Sequence, residues 1–201
     1  MKIWKYRCSA VLGYLFGSLN FSIILSKRTG TDIRAEGSGN PGATNIARIF
    51  RIRYGVLTFL CDFLKAVVSM VISGSLFGAH ALFTAGIFCL LGHCYPVFYH
   101  FKGGKGVSCG AAVSLLLDWR IFLCLIVLFL AAAFASRKVS VGSITVCAAF
   151  PVLTALFGKG LRLILFSAAC SLIVLLRHKS NIGRLIQGTE PDFHAGKNNN
   201  R

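Results

Sequence analysis

Three polar stretches in an otherwise apolar chain carry residue types suited to holding and transferring phosphate. The first runs from Thr31 to Arg48 and places Gly37, Gly39 and Gly42 within six residues. Such a backbone can turn its amides inward around an anion. Ser38, Asn40, Thr44 and Asn45 add neutral donors, Arg34 and Arg48 add charge, and a helix starting near Asn45 would contribute its positive N-terminus. The second stretch, Phe101 to Val107, sets Lys102 and Lys105 among Gly103, Gly104 and Gly106. It is not a Walker A loop, which needs Gly where Tyr99 stands and Ser or Thr where Gly106 stands. What remains is two ammonium groups on a backbone that lets phosphate approach closely. The third, Arg177 to Glu190, would as a helix put His178 and Asn181 on one face with Leu185. His178 is the best placed of the five histidines to exchange a proton. His93, ahead of Pro96, is expected to pack or cap, and His80, His100 and His194 to be interfacial or terminal. Asp62 and Lys65, three residues apart inside an apolar run, are expected to pair, which lowers their cost in lipid.

The elements that position these residues belong to a membrane. Of 201 residues 55% are hydrophobic and 14% charged, which fits neither a disordered segment nor a water-soluble domain. The net charge of +16 is compatible with nucleic acid, anionic lipid or a phosphorylated substrate. Nucleic acid is set aside because the 17 Phe sit mostly inside long apolar runs rather than on a basic face. Eight cysteines are widely spaced with no CxxC pair, so neither a disulfide framework nor a zinc site is expected, and no metal or other cofactor. No removable signal peptide is evident.

Apolar runs cover 10–25, 54–77, 81–99, 107–117, 121–135, 139–157 and 161–176. They predict an all-α polytopic integral membrane protein of about seven transmembrane helices, one multispanning domain over 1–201. The fourth run is short and has to tilt, borrow polar neighbours or span only in part, which leaves five or six spans as the alternative. Fifteen Lys and Arg flank one side of this arrangement and six the other, so the positive-inside rule makes the first side cytoplasmic. Lys2, Lys5 and Arg7 run against that placement of the N-terminus. All three phosphate-suited stretches lie on the side read as cytoplasmic, whereas connections on the other side are short turns such as Asp118-Trp119-Arg120. The Asn198–Asn200 run reads as a solvated end.

Taken together, the chain resembles the bacterial acyl-phosphate:glycerol-3-phosphate acyltransferases of the PlsY type over nearly its whole length. The resemblance runs through Gly17-Ser18, Asp32-Ile33-Arg34, Gly37-Ser38-Gly39-Asn40, Gly42-Ala43-Thr44-Asn45, Asp62 with Lys65, Gly92-His93, Pro96-Val97-Phe98, Phe101 to Val107 and Val139-Ser140. It continues through His178, Asn181-Ile182, Arg184-Leu185 and Gly188-Thr189-Glu190. Asn20 stands where the family usually has Pro, and Ala66 where Gly commonly follows the Lys. The resemblance implies an inner-membrane enzyme that moves a fatty acyl group from acyl phosphate to the 1-hydroxyl of glycerol 3-phosphate, giving lysophosphatidate and phosphate. It implies membrane lipid as a partner, no nucleic acid, and supporting positions at Ser18, Asp62, Lys65, Ser140 and Glu190.

The residues ask for the same chemistry. Two phosphates held side by side repel by about 4 kcal/mol per unit-charge pair at 4 Å and an effective dielectric near 20, so several cations are needed. Arg34, Lys102, Lys105 and Arg48 can supply them. An acyl phosphate is already activated, which leaves positioning, charge stabilisation and one proton removal. Arg34, Ser38, His178 and Asn181 are the candidate catalytic residues. Gly37, Gly39, Asn40, Gly42, Thr44, Asn45, Lys102, Gly103, Gly104, Lys105 and Gly106 are the candidate phosphate-binding set. The rivals are a carrier for an organic phosphate, which should place cations at mid-membrane, and a metal-dependent phosphotransferase, which should cluster carboxylates.

Overall fold

In the computed structural model, residues 3–193 are described; Lys2, His194, Lys197, Asn198 to Asn200 and Arg201 lie outside them. Every regular element among the described residues is helical. The chain divides into two compact units, Met1–Leu116 and Leu117–Arg201.

In the first unit, α1 (Ile3–Ser18) and α2 (Phe21–Arg28) together make one span, interrupted at Leu19 and Asn20. The helix begins at Ile3 rather than Ala10, because Lys5 and Arg7 extend it in register beyond the apolar run. Asn20 accounts for the break. Its side chain caps α2 by accepting from the Ile23 N–H at 3.2 Å, and it donates to Pro41 O at 3.4 Å. A proline could do neither. The short helix α3 (Ala43–Ile49) leads into α4 (Ile52–Phe77) and α5 (Ala79–Cys94). Close packing of α1 on α5 depends on small residues: a Cβ on Gly13 or Gly17 would meet the backbone of Ala85 or Cys89 within 2.3 Å. After a 3₁₀ turn, Val97–Tyr99, and the lysine-glycine loop comes α6 (Val107–Leu117). At 11 residues α6 is about 16 Å long, half the roughly 30 Å of hydrocarbon.

The second unit packs α7 (Trp119–Ser136) on α8 (Val139–Leu156) and α8 on α9 (Leu161–Arg177). Asp118 caps α7 through the Arg120 N–H at 2.9 Å and pairs with Arg120 and Lys159, both at 2.8 Å. These hydrogen bonds, Arg120 first, hold its carboxyl well below the usual carboxylate range. α10 (Lys179–Ile186) continues from α9 at an angle of 61°. His178 stands at the joint between them. Lys138 pairs with Asp192 at 2.6 Å and Phe193 N–H donates to Arg137 O at 2.8 Å, so the chain beyond α10 returns to the α7–α8 turn.

All seven apolar runs are helical. Five elements are long and apolar enough to cross a membrane, and a sixth if α9 and α10 are one broken span. The fourth apolar run is the shorter helix α6, which its polar flanks Lys105, Gly106 and Asp118 do not extend.

Candidate active site

The loop from Thr29 to Gly42 is held from within. Ile33 is buried with Ile23 and Ile46, and Tyr99 packs against them. Asn45 is 1% exposed, and its amide is used up on the loop: Oδ1 accepts from Ser38 N–H at 3.0 Å, and Nδ2 donates to Ile33 O at 3.3 Å and Glu36 O at 2.9 Å. Every polar atom of the Asn45 side chain thus has a partner within the loop. Gly37 and Gly39 take positive φ, 57° and 68°, and a Cβ on Gly37 would press on Asn45 Oδ1. Ser38 is exposed at the rim, while Asn40, Gly42 and Thr44 are half-buried. α3 starts at Ala43 after Gly42, which provides no side-chain cap, and at seven residues it is too short for an appreciable dipole.

Arg34 is not an unpaired cation. Its Nε donates to Asp32 Oδ1 at 2.9 Å, its Nη2 to Asp32 Oδ2 at 2.6 Å, and its Nη1 reaches Tyr99 O at 3.5 Å. The Arg34 guanidinium holds the Asp32 carboxyl down at about 2, and Asp32 in turn raises Arg34. The planar fork therefore spans two loops. Arg48, one turn beyond Asn45 and half-buried, differs: its Nε is buried and has no hydrogen-bond partner. A buried unpaired N–H costs about 1–3 kcal/mol, which makes Arg48 the better anion acceptor of the two. An arginine at the end of a glycine loop was visible in the sequence; its lack of a carboxylate partner was not.

Ser18 Oγ donates to Tyr14 O at 2.9 Å and accepts from Val97 N–H at 3.3 Å, and Tyr14 donates to Tyr95 O at 2.8 Å. These staple the end of α1 to the segment before the lysine-glycine loop. His100 and Phe101 both adopt the left-handed conformation, φ 55° and 59°, turning the chain tightly into exposed Lys102. Lys105 is half-buried. Gly106 has φ 88°, whereas Gly104 is glycine for lack of space: a Cβ there would lie 2.2 Å from His93 Nε2 and 2.9 Å from Pro41 O. Gly104 is thus glycine because its Cβ direction is filled by the protein itself.

Beneath the loops, Lys65 Nζ pairs with Asp62 at 2.7 Å, as expected from their spacing. It also donates to Gly17 O at 3.0 Å and to Leu19 O, carbonyls freed by the break between α1 and α2. His93, read as a packing or capping residue, completes this cluster: its Nδ1 is 3.1 Å from Lys65 Nζ and 3.5 Å from Asp62 Oδ1.

In the second unit, His178 and Asn181 are both buried, across the bend between α9 and α10. His178 Nδ1 lies 2.8 Å from Val174 O. A carbonyl only accepts, so Nδ1 is the donor in this contact. Asn181 Nδ2 donates to Glu190 Oε1 at 2.6 Å, and Arg184 Nε to Glu190 Oε2 at 2.7 Å. Burial alone would push Glu190 up; the hydrogen bonds from Asn181 and Arg184, with the Ser140 hydroxyl nearby, outweigh it and hold the carboxyl below its ordinary value. Asn181 Oδ1 is buried without a partner. Glu190, one of the supporting positions, thus holds both Asn181 Nδ2 and Arg184 Nε.

A family model described as glycerol-3-phosphate acyltransferase matches residues 8–188. The chain belongs to the glycerol-3-phosphate acyltransferase family. A glycerol-3-phosphate acyltransferase of Bradyrhizobium sp. (strain BTAi1) is 42% identical over 190 residues, covering 93% of this chain and 94% of the relative. That of Aquifex aeolicus (strain VF5) is 35% identical over 185 residues, 91% and 96%. The fold is similar to the crystal structure of PlsY (YgiH), an integral membrane glycerol 3-phosphate acyltransferase, in its glycerol 3-phosphate form. The TM-score is 0.88 at 34% identity, over 93% of this chain and 94% of that one. The lysophosphatidic acid form of the same enzyme gives 0.86 at 33% identity. This chain is accordingly an acyltransferase and an integral membrane protein, and the carrier alternative falls away.

Proposed function

We propose that the protein transfers a fatty acyl group from acyl phosphate to the 1-hydroxyl of glycerol 3-phosphate, at the cytoplasmic face of the bacterial inner membrane. The observation that carries this reading is that, among the described residues, the buried side-chain atoms without a hydrogen-bond partner include one in each of two polar stretches, the Arg48 N–H and Asn181 Oδ1. One seeks an anion and the other a hydroxyl. The similar PlsY structures, in glycerol 3-phosphate and lysophosphatidic acid forms, support the acceptor and product.

Arg48, Lys102, Lys105 and the exposed Ser38 rim carry phosphate, while Arg34 fixes the loop that presents them. The acceptor oxygen attacks the acyl carbonyl carbon, the carbonyl–phosphate C–O bond breaks, and phosphate leaves. His178 Nε2 accepts the attacking hydroxyl's hydrogen bond and Asn181 orients it. The proton ends on an oxygen of the leaving phosphate, so no covalent enzyme intermediate and no cofactor enter the balance.

Purified protein supplied with glycerol 3-phosphate and each of acyl phosphate, acyl-CoA or acyl carrier protein tests the donor. Acyl phosphate should give lysophosphatidate and phosphate with EDTA present. A preference for acyl-CoA, or loss of turnover in EDTA, overturns the donor assignment.

A further inference from the structure

We propose that His93 is a positioning residue that fixes the spacing of the two glycine loops, with the Asp62–Lys65 pair setting the position of its ring. The proposal rests on the acyltransferase reading of those loops and adds a residue to it.

His93 is 3% exposed and stands at the crossing of four segments. Below, its Nδ1 meets Lys65 Nζ at 3.1 Å and Asp62 Oδ1 at 3.5 Å. Lys65 is anchored in turn on Gly17 O and Leu19 O, beside Asn20, whose amide reaches Pro41 O at 3.4 Å. Above, His93 O accepts the Gly104 N–H at 3.0 Å, and a Cβ built on Gly103 would lie 2.2 Å from that same oxygen. The far edge of the ring, Nε2, fills the space where a Gly104 side chain would go, and Pro41 O closes the other side at 2.9 Å from that point. The first glycine loop therefore reaches this junction through Pro41 and the second through Gly103 and Gly104, with one imidazole between the second loop and the buried ion pair.

A buried histidine kept only for packing would not need both ring edges engaged. Here one edge meets a charge pair whose lysine also holds the helix break that leads to the first loop, and the other meets the backbone of the second loop. Moving the ring shifts one loop relative to the other, and a displacement of about 1 Å in a substrate-holding segment is enough to cost up to about 10²-fold.

Asparagine and alanine separate the two edges. His93→Asn keeps a polar group near the Nδ1 position, facing Lys65 and Asp62, and empties the space under Gly104. In protein that inserts and melts as wild type, it should raise KM for glycerol 3-phosphate or acyl phosphate about tenfold with kcat within about threefold, the signature of lost positioning for binding. A double-mutant cycle of His93→Ala and Gly104→Ala should be strongly non-additive, because the alanine methyl enters the volume the ring vacates. Wild-type KM values in His93→Asn overturn the proposal, as does a cycle whose effects multiply independently. If His93→Ala fails to insert, the cycle is run with His93→Asn in its place. The cycle is read on glycerol 3-phosphate KM with whichever donor the wild-type enzyme uses, so a failed donor assignment and a failed role for His93 give different results.

Discussion

The polar cluster of the first unit and that of the second are built from similar groups to opposite effect. Asp62, Lys65 and His93 form a closed set: the charges oppose each other at 2.7 Å, and the remaining Lys65 protons go to the carbonyls at the end of α1. Asn181, Arg184, Ser140 and Glu190 form an open one, in which the carboxylate is fully engaged yet Asn181 Oδ1 is left without a partner. The closed set is buried, with Asp62 and Lys65 midway along α4 and His93 at the end of α5, against the end of α1, where an unpaired charge has no water to recruit. The open set gathers where α9 bends into α10 and the chain returns toward α8. A buried atom without a partner is expensive, and it is tolerated where a ligand completes it. In the function proposed above, the closed cluster sets loop positions and the open one meets substrate.

Breaking the closed set should have the largest effect. Lys65→Met leaves Asp62 ionised or orphaned and frees the Gly17 and Leu19 carbonyls, a loss of about 3–5 kcal/mol for breaking a buried pair. Inserted, monodisperse protein should fall sharply and its Tm with it, and pairing Lys65→Met with Asp62→Asn should recover a substantial part. Wild-type stability in the single variant would show the pair to be dispensable.

Opening the frame at an anion-seeking group should leave the fold and reduce chemistry. Arg48→Met should keep the wild-type Tm, or raise it slightly by removing a partnerless N–H, while kcat/KM falls about 10²-fold through loss of a charged hydrogen bond. A fall in Tm with unchanged kinetics would move Arg48 into the frame.

His178 sharpens the same contrast within the open set. Nδ1 is committed to Val174 O, which in the proposed reaction leaves the acceptor role to Nε2, and a glutamine oxygen can stand near that position. His178→Gln should therefore stay within about tenfold of wild-type turnover, whereas His178→Ala should lose about 10²-fold or more. If His178→Gln were as inactive as His178→Ala and the acid limb of the pH–rate profile vanished with it, the imidazole would be the base.

The helices were legible in the sequence because apolar runs bounded by charge declare themselves, and so was the Asp62–Lys65 pair, whose partners are one turn apart. The rest depended on long-range choices. The break at Leu19 and Asn20 is stabilised by a lysine 46 residues away in the chain, and His93 meets that lysine across 28. Asn45 looked like a phosphate donor because its type and place allow it; only the fold shows that its three contacts are to the loop's own backbone. Arg34 and Arg48 were equivalent as residue types, and the choice between them lay in which one found a carboxylate.

The smallest expected effect tests whether the Asp32–Arg34 pair belongs to the frame. Arg34 holds the Asp32 carboxyl at about 2, below its ordinary value of 3.8. A carboxyl depressed on folding contributes stability that is complete above its unfolded value and is lost as pH falls through its folded one, here between about 4 and 2. Between pH 5 and 8 the pair does not titrate, so it gives no limb to a pH–rate profile in that range. Its side chains are 24% and 38% exposed, so salt and water screen it and its share of stability is small. Asp32→Asn should thus change Tm little at pH 7 and leave the shape of the pH–rate curve from 5 to 8 superimposable on wild type. Arg34→Lys, which keeps charge but loses the fork reaching Tyr99 O, should lower turnover more than Asp32→Asn does. A titration appearing within that window in Asp32→Asn would mean that the freed guanidinium had taken hold of a titrating substrate phosphate, and Arg34 would then join Arg48 among the groups that bind it.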